Sequence, residues 1–200
     1  MGEEMNLLSS RNLKLNPLVA ILAIGFAAEV LMATITLFLI PASPASQNAI
    51  SEEGRLPEIA APGSPAIDFE AVSLHGDKVR LSDFRGQIVA LNFWATWCAP
   101  CLVEMPALQA AQDQFGSQGF TIVAVNAGEP TDTVSDFMTS HRITYLTLMD
   151  PNLDIVNLYH IRAFPTTIWI TPAGTVEAKH LGPLDLDLMD QYIAALIDRS

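Results

Sequence analysis

The chain has only two cysteines, Cys98 and Cys101, three positions apart in the segment Trp97-Cys98-Ala99-Pro100-Cys101. A thiol does redox chemistry as its thiolate, and a helix N-terminus stabilises that charge through unpaired backbone N–H groups and the positive end of the macrodipole. The apolar run 88–94 leads straight into the pair, and Pro100 suits a first helical turn, so Cys98 falls at the start of a helix with Cys101 one turn on. In that arrangement Cys98 attacks a partner disulfide, and Cys101 is close enough to resolve the mixed disulfide. Ala99 and Pro100 place no acid beside the sulfurs, and Pro100 restricts the turn between them.

Other chemistries use the same spacing. Cys-x-x-Cys is half of a zinc knuckle, but the chain has no other cysteine and its histidines, His75, His141, His160 and His180, are scattered without a His-x-x-x-His pair. A two-thiolate copper(I) site stays open, since soft ligands suit that ion. A purely structural disulfide would close too small a loop to remove much unfolded-state entropy. A peroxidase needs its reactive cysteine in a different local setting. The expectation is a redox couple with no metal and no cofactor.

A second segment, Ala163-Phe164-Pro165-Thr166-Thr167, puts a proline directly ahead of an apolar run that reads as a central strand. Proline cannot donate to a ladder there, so it calls for an ordinary loop or a cis bond in a tight turn.

The elements that must position these residues alternate in type. Residues 67–74 and 78–81 flank His75-Gly76-Asp77 and read as a hairpin. The run 88–94 reads as a buried strand, 99–115 as a helix with Leu102, Met105, Leu108 and Phe115 on its apolar face and a bend at Pro106, and 120–126 as a second buried strand. Thr131 or Asp132 caps a helix running to His141; 146–149 is a short strand and 152–159 a short helix. Strands at 167–171 and 176–181, joined through Pro172-Ala173-Gly174, and a closing helix at 185–198 complete an α/β layered domain around a mixed sheet.

Ahead of this domain, residues 18–40 are apolar apart from Glu29, Thr34 and Thr36, and as a helix they extend ~34 Å, enough for a bilayer core of ~30 Å. Arg11 and Lys14 precede the run and the next basic residue is Arg55, so the positive-inside rule puts 1–17 in the cytoplasm and everything after the span outside. The run is longer than the ~7 to 15 residues of a signal-peptide core, which favours an anchor, although Ser43-Pro44-Ala45 offers small residues for cleavage. Glu29 is read as a protonated, tolerated residue of a single-pass anchor, with a partner or proton path as the alternative. Residues 41–63, rich in Pro, Ala, Ser and Glu, suit a flexible tether, and the folded domain is expected at 64–200. With 10 basic and 22 acidic residues the net charge is −12, which repels nucleic acid and gives no polybasic support for anionic lipid.

The stretch Phe93-Trp94-Ala95-Thr96-Trp97-Cys98-Ala99-Pro100-Cys101 resembles the active-site segment of the thioredoxin superfamily, and Phe164-Pro165-Thr166-Thr167 is similar to its cis-proline loop. The hairpin with Leu81-Ser82-Asp83-Phe84-Arg85-Gly86, the segment Val125-Asn126-Ala127-Gly128-Glu129 and the N-terminal anchor resemble the TlpA/ResA-like extracytoplasmic reductases. The resemblance implies a thioredoxin-like three-layer α/β fold with a central mixed sheet and an added N-terminal hairpin. It makes Cys98 the exposed nucleophile, Cys101 the buried resolving thiol and Pro165 a cis-proline opposite them. The backbone of Phe164 would pair with an extended substrate segment, with Pro100 and Trp97 beside it. Trp94 and Trp97 flank the site, Trp97 either packing beneath the loop or contacting partners, while Trp169 belongs to the core.

The function so implied is reduction of extracytoplasmic protein disulfides, apocytochrome c being the favoured substrate and a transmembrane thiol carrier the electron donor. An oxidant that introduces disulfides is the alternative within the same chemistry. Two departures stand out: Asn92 replaces the buried Asp of thioredoxins, and Ala99 the Glu that some reductases carry between the cysteines. The proton partner of Cys101 must then lie elsewhere. Glu129 is the candidate, as a partly buried acid or simply a solvent-facing loop residue.

Overall fold

The computed structural model describes residues 60–197. The hairpin comprises β1 (Glu70–Ser73) and β2 (Lys78–Arg80), paired antiparallel with Ala71 opposite Val79. Its turn passes through Gly76 at φ 89°, a left-handed conformation that costs glycine little. A 3-10 turn over Leu81–Phe84 leads to β3 (Ile88–Trp94), followed by α1 (Ala99–Phe115), β4 (Phe120–Ala127), α2 (Thr131–His141), β5 (Leu146–Asp150), the short α3 (Asp154–Leu158), β6 (Thr166–Ile170), β7 (Val176–Leu181) and α4 (Leu186–Ile197).

The strands form one mixed sheet of order β2-β1-β5-β4-β3-β6-β7. β3 and β4 run parallel in its middle, and β6 lies antiparallel to β3 with Asn92 opposite Thr167. Every residue of β3 is buried, as its unbroken apolar run requires of a strand covered on both faces. The pleat divides its side chains. Ile88, Ala90 and Trp94 join Met105, Leu108, Val134, Met138, Met189 and Ile193 of α1, α2 and α4 in one core, while Val89, Leu91 and Phe93 join Ile155, Val156 and Tyr159 in the other. These are the three layers expected of a thioredoxin-like domain, with the hairpin added through β1, which pairs antiparallel with β5.

Several local expectations are corrected. α2 begins after Pro130 with no side-chain cap; neither Thr131 nor Asp132 caps it, and Asp132 instead sits in its first turn, where a negative charge favours the dipole. α3 is shorter than 152–159, because the Asp150 carboxylate accepts the N–H groups of Ile155 and Val156 (3.0 and 2.9 Å) and starts the helix there. On α1 the buried stripe is Cys101, Glu104, Met105, Leu108 and Ala111, and Leu102 faces outward.

Ahead of residue 64, Ala60 is buried and the Gly63 N–H bonds the Val176 carbonyl at 2.8 Å, so the packed chain reaches back at least to Ala60. The expected span 18–40, with Glu29, and most of the tether lie outside the described residues, among which no helix is long and apolar enough to cross a membrane.

Candidate active site

Cys98 is the N-cap of α1, and Pro100 occupies its first turn, where the missing N–H is not needed by the helix. Cys98 and Cys101 are joined as a disulfide, so the structure holds the oxidised couple. The Cys101 N–H points at Cys98 Sγ (3.3 Å), the atom that carries the thiolate charge once the pair is reduced. Cys98 keeps 5% of its surface exposed and Cys101 none, so access favours Cys98 as the sulfur a partner reaches first.

Around the sulfurs the surface is apolar. Trp97 is 67% exposed and meets the half-buried Phe164 edge to face, with centroids 5.9 Å apart. Of the two open alternatives for Trp97, packing beneath the loop is set aside by that exposure. Pro100 is also exposed, as are Leu102 and Val103 on α1. Trp94, in contrast, is wholly buried and rests on Phe137 beneath the loop; Trp169 lies in the core as expected, stacked on Tyr192.

The Phe164–Pro165 bond is cis. Pairing of Phe93 with Thr166 brings Pro165 to the level of Trp94, beside the segment that carries the cysteines. Pro165 is buried, its carbonyl accepting the Gly182 N–H at 3.0 Å, and Phe164 lies just outside the ladder.

Glu129 is half-buried. Its Oε2 accepts the Thr96 N–H and an Asn126 Nδ2–H, both at 2.7 Å, and its Oε1 accepts the Thr96 hydroxyl. The carboxylate ties the loop after β4 to the loop that carries the cysteines, and three donors already occupy it.

The buried acid near the couple is another residue, Glu104, which the sequence did not single out. It stands one turn beyond Cys101 on the same face of α1 and has no exposed surface. Asn92 Nδ2 donates to its Oε1 (2.8 Å) and the Leu184 N–H to its Oε2 (3.0 Å). Burial outweighs these two hydrogen bonds and pushes its pKa up to about 7. Asn92 therefore does not leave the interior without an acid. It presents a donor to one contributed by the helix. The available signal was the spacing Cys101, Glu104, Leu108, which places a carboxyl in the apolar stripe. Among the described residues no three His, Cys, Asp or Glu side chains converge as a metal site requires.

The AhpC/TSA family model matches residues 62–179, which include the redox pair and the cis-proline loop. The chain belongs to this thioredoxin-like family. Its curated relatives include thiol-disulfide oxidoreductase ResA of Halalkalibacterium halodurans, 33% identical over 135 residues covering 68% of this chain and 77% of the relative. The Bacillus subtilis protein of that name is 36% identical over 131 residues, covering 66% and 73%. Among solved structures, a putative thiol:disulfide interchange protein DsbE from Chlorobium tepidum superposes with a TM-score of 0.65 at 32% identity, covering 68% of this chain and 98% of that one. The domain is a thiol-disulfide oxidoreductase, and the closed Cys98–Cys101 couple is what such an enzyme exchanges.

Proposed function

We propose that this oxidoreductase is a membrane-tethered reductase of extracytoplasmic protein disulfides. The observation that carries the mechanism is the closed Cys98–Cys101 pair at the start of α1, with Cys98 the more exposed sulfur and aligned with the Cys101 N–H. In the reduced enzyme the Cys98 thiolate attacks one sulfur of a partner disulfide. The partner S–S bond breaks, an intermolecular S–S bond forms, and the departing partner thiolate takes a proton. Cys101, giving up its own proton, then attacks Cys98, closing the internal disulfide and releasing the second partner thiolate. One disulfide is reduced for each dithiol oxidised.

The chain's residues divide this work. The N-terminus of α1 stabilises the Cys98 thiolate. Glu104, the buried acid one turn from Cys101, exchanges the Cys101 proton. That task fits Glu104 better than Glu129, whose oxygens are taken up in holding Thr96 and Asn126. Trp97, Pro100 and Phe164 form the contact surface, and the main chain of Phe164, beside cis-Pro165, aligns an extended partner segment.

Residues 18–40 anchor the protein, 1–17 lie in the cytoplasm, 41–59 tether the domain, and the catalytic domain, packed from Ala60 onward, works outside. Electrons reach it from a transmembrane thiol carrier. Its substrates are extracytoplasmic disulfides such as that of apocytochrome c, whose cysteines must be reduced for haem attachment. The reduction potential tests the direction. Equilibration with glutathione is expected to give a value well below the glutathione couple, and a strongly oxidising value would instead make this an enzyme that introduces disulfides.

A further inference from the structure

Beneath the disulfide, the strand that follows the cis-proline is connected to α1 by three buried polar side chains. Thr167 of β6 faces Asn92 of β3 across the ladder, and a single amide nitrogen, Asn92 Nδ2, donates to both Thr167 Oγ1 (3.0 Å) and Glu104 Oε1 (2.8 Å). All three residues are buried, and the other end of the amide, Asn92 Oδ1, is buried without a partner.

An amide has two faces of opposite character. Its NH₂ supports an ionised carboxylate, while its oxygen, after a half-turn, accepts only from a protonated one. The Thr167 hydroxyl oxygen accepts the second amide hydrogen, so the first orientation gives both amide hydrogens a partner. The orphaned Oδ1 shows that this choice is made at the expense of the amide's own acceptor.

We propose that Thr167 is a positioning residue for disulfide exchange: through the Asn92 amide it keeps a donor aimed at Glu104 and so sets how readily Glu104 gives up and recovers its proton. This deepens the proposed mechanism and rests on the proton role assigned there to Glu104. The titratable neighbours of that carboxyl are Cys98 and Cys101 on its own helix, held as a disulfide, and Tyr145 ahead of β5. Burial, and secondarily the charge of Glu104, push the Tyr145 phenol above its ordinary value, leaving it uncharged. The upward shift of Glu104 itself arises from burial and is opposed by the Asn92 amide and the Leu184 N–H.

The test has two readouts on the intact domain. In the oxidised protein, the carboxyl stretch of Glu104 is followed by infrared difference spectroscopy against pH, with Glu104→Gln identifying the band. In the reduced protein, the pH profile of exchange with a peptide disulfide is measured. Thr167→Val keeps the shape of the side chain on a strand that favours β-branched residues, and it should raise the Glu104 midpoint by up to about tenfold in proton affinity. The exchange profile should move the same way. Thr167→Ser, which restores the hydroxyl, should leave both in place, and Asn92→Leu, which removes the donor itself, should shift the midpoint further. A midpoint unmoved in Thr167→Val overturns the proposal, as does a moved midpoint with an unmoved profile while Glu104→Gln does alter the profile. If Glu104→Gln leaves the profile unaltered, the proton role of Glu104 fails and this proposal with it, whereas an unmoved Thr167→Val midpoint removes only the link through Asn92.

Discussion

At the scale of single residues the couple and its buried acid sit in opposite surroundings. Cys98 receives an N–H and the helix end, which favour its thiolate, whereas Glu104 is held in an interior that favours its neutral form. This has a consequence for stability. Glu104 titrates at about 7 in the fold against 4.5 as its ordinary value, so between those limits the folded state binds more protons than the unfolded one. Its contribution is therefore fully present below about pH 4.5 and is lost as pH rises through about 7. The loss is on the order of 3 kcal/mol, which Glu104→Gln should abolish. Urea unfolding of the oxidised protein across this range measures it: the difference between wild type and variant should change with pH, and parallel curves would contradict the assigned burial. Glu104 was hidden in the sequence because a helix reading Leu102, Met105, Leu108 turns it toward solvent, and its partners are 12 residues before it and 80 residues after it.

The elements explain how a short loop holds the cysteines in place. Thr96 is fixed from the loop after the neighbouring strand by Glu129, whose carboxylate also holds Asn126 at the end of β4. Glu129→Gln loses part of this acceptor set and should destabilise the domain by about 1 to 2 kcal/mol, charge-assisted bonds to a half-buried group being worth somewhat more than neutral ones. Hydrogen exchange at the Thr96 amide should speed up while the pH profile of disulfide exchange keeps its shape. An unchanged Thr96 protection would remove the loop-holding role. β3, α1 and β4 were legible in the sequence because an unbroken apolar run, a proline in a first helical turn and a second apolar run are local signals. The start of α3 was not. Leu153 takes a left-handed conformation there and the capping carboxylate comes from Asp150 at the end of β5, a choice settled by packing. The residues of the proline loop alone left two conformations open; the resemblance implied a cis bond, and the Phe164–Pro165 bond is cis.

For the molecule as a whole, the sheet brings together two segments far apart in the chain, the cysteine loop after β3 and the proline loop before β6. Their meeting sets exposed Trp97 against the half-buried Phe164 on a chain with a net charge of −12. Charge keeps such a protein dispersed, so contact at this patch must be made by fit around Cys98, which keeps only 5% of its surface exposed. In the proposed exchange Cys98 makes the bond to the partner and Cys101 breaks it. The direct measurement is mass spectrometry of the covalent adducts formed by Cys101→Ala, with Cys98→Ala as its counterpart, after exposure to a peptide disulfide. Cys101→Ala should accumulate a mixed disulfide mapped to Cys98 and released by reductant, while Cys98→Ala should accumulate little, the Cys101 sulfur being wholly buried. Adducts formed equally well on Cys101, or none on Cys98, would contradict it.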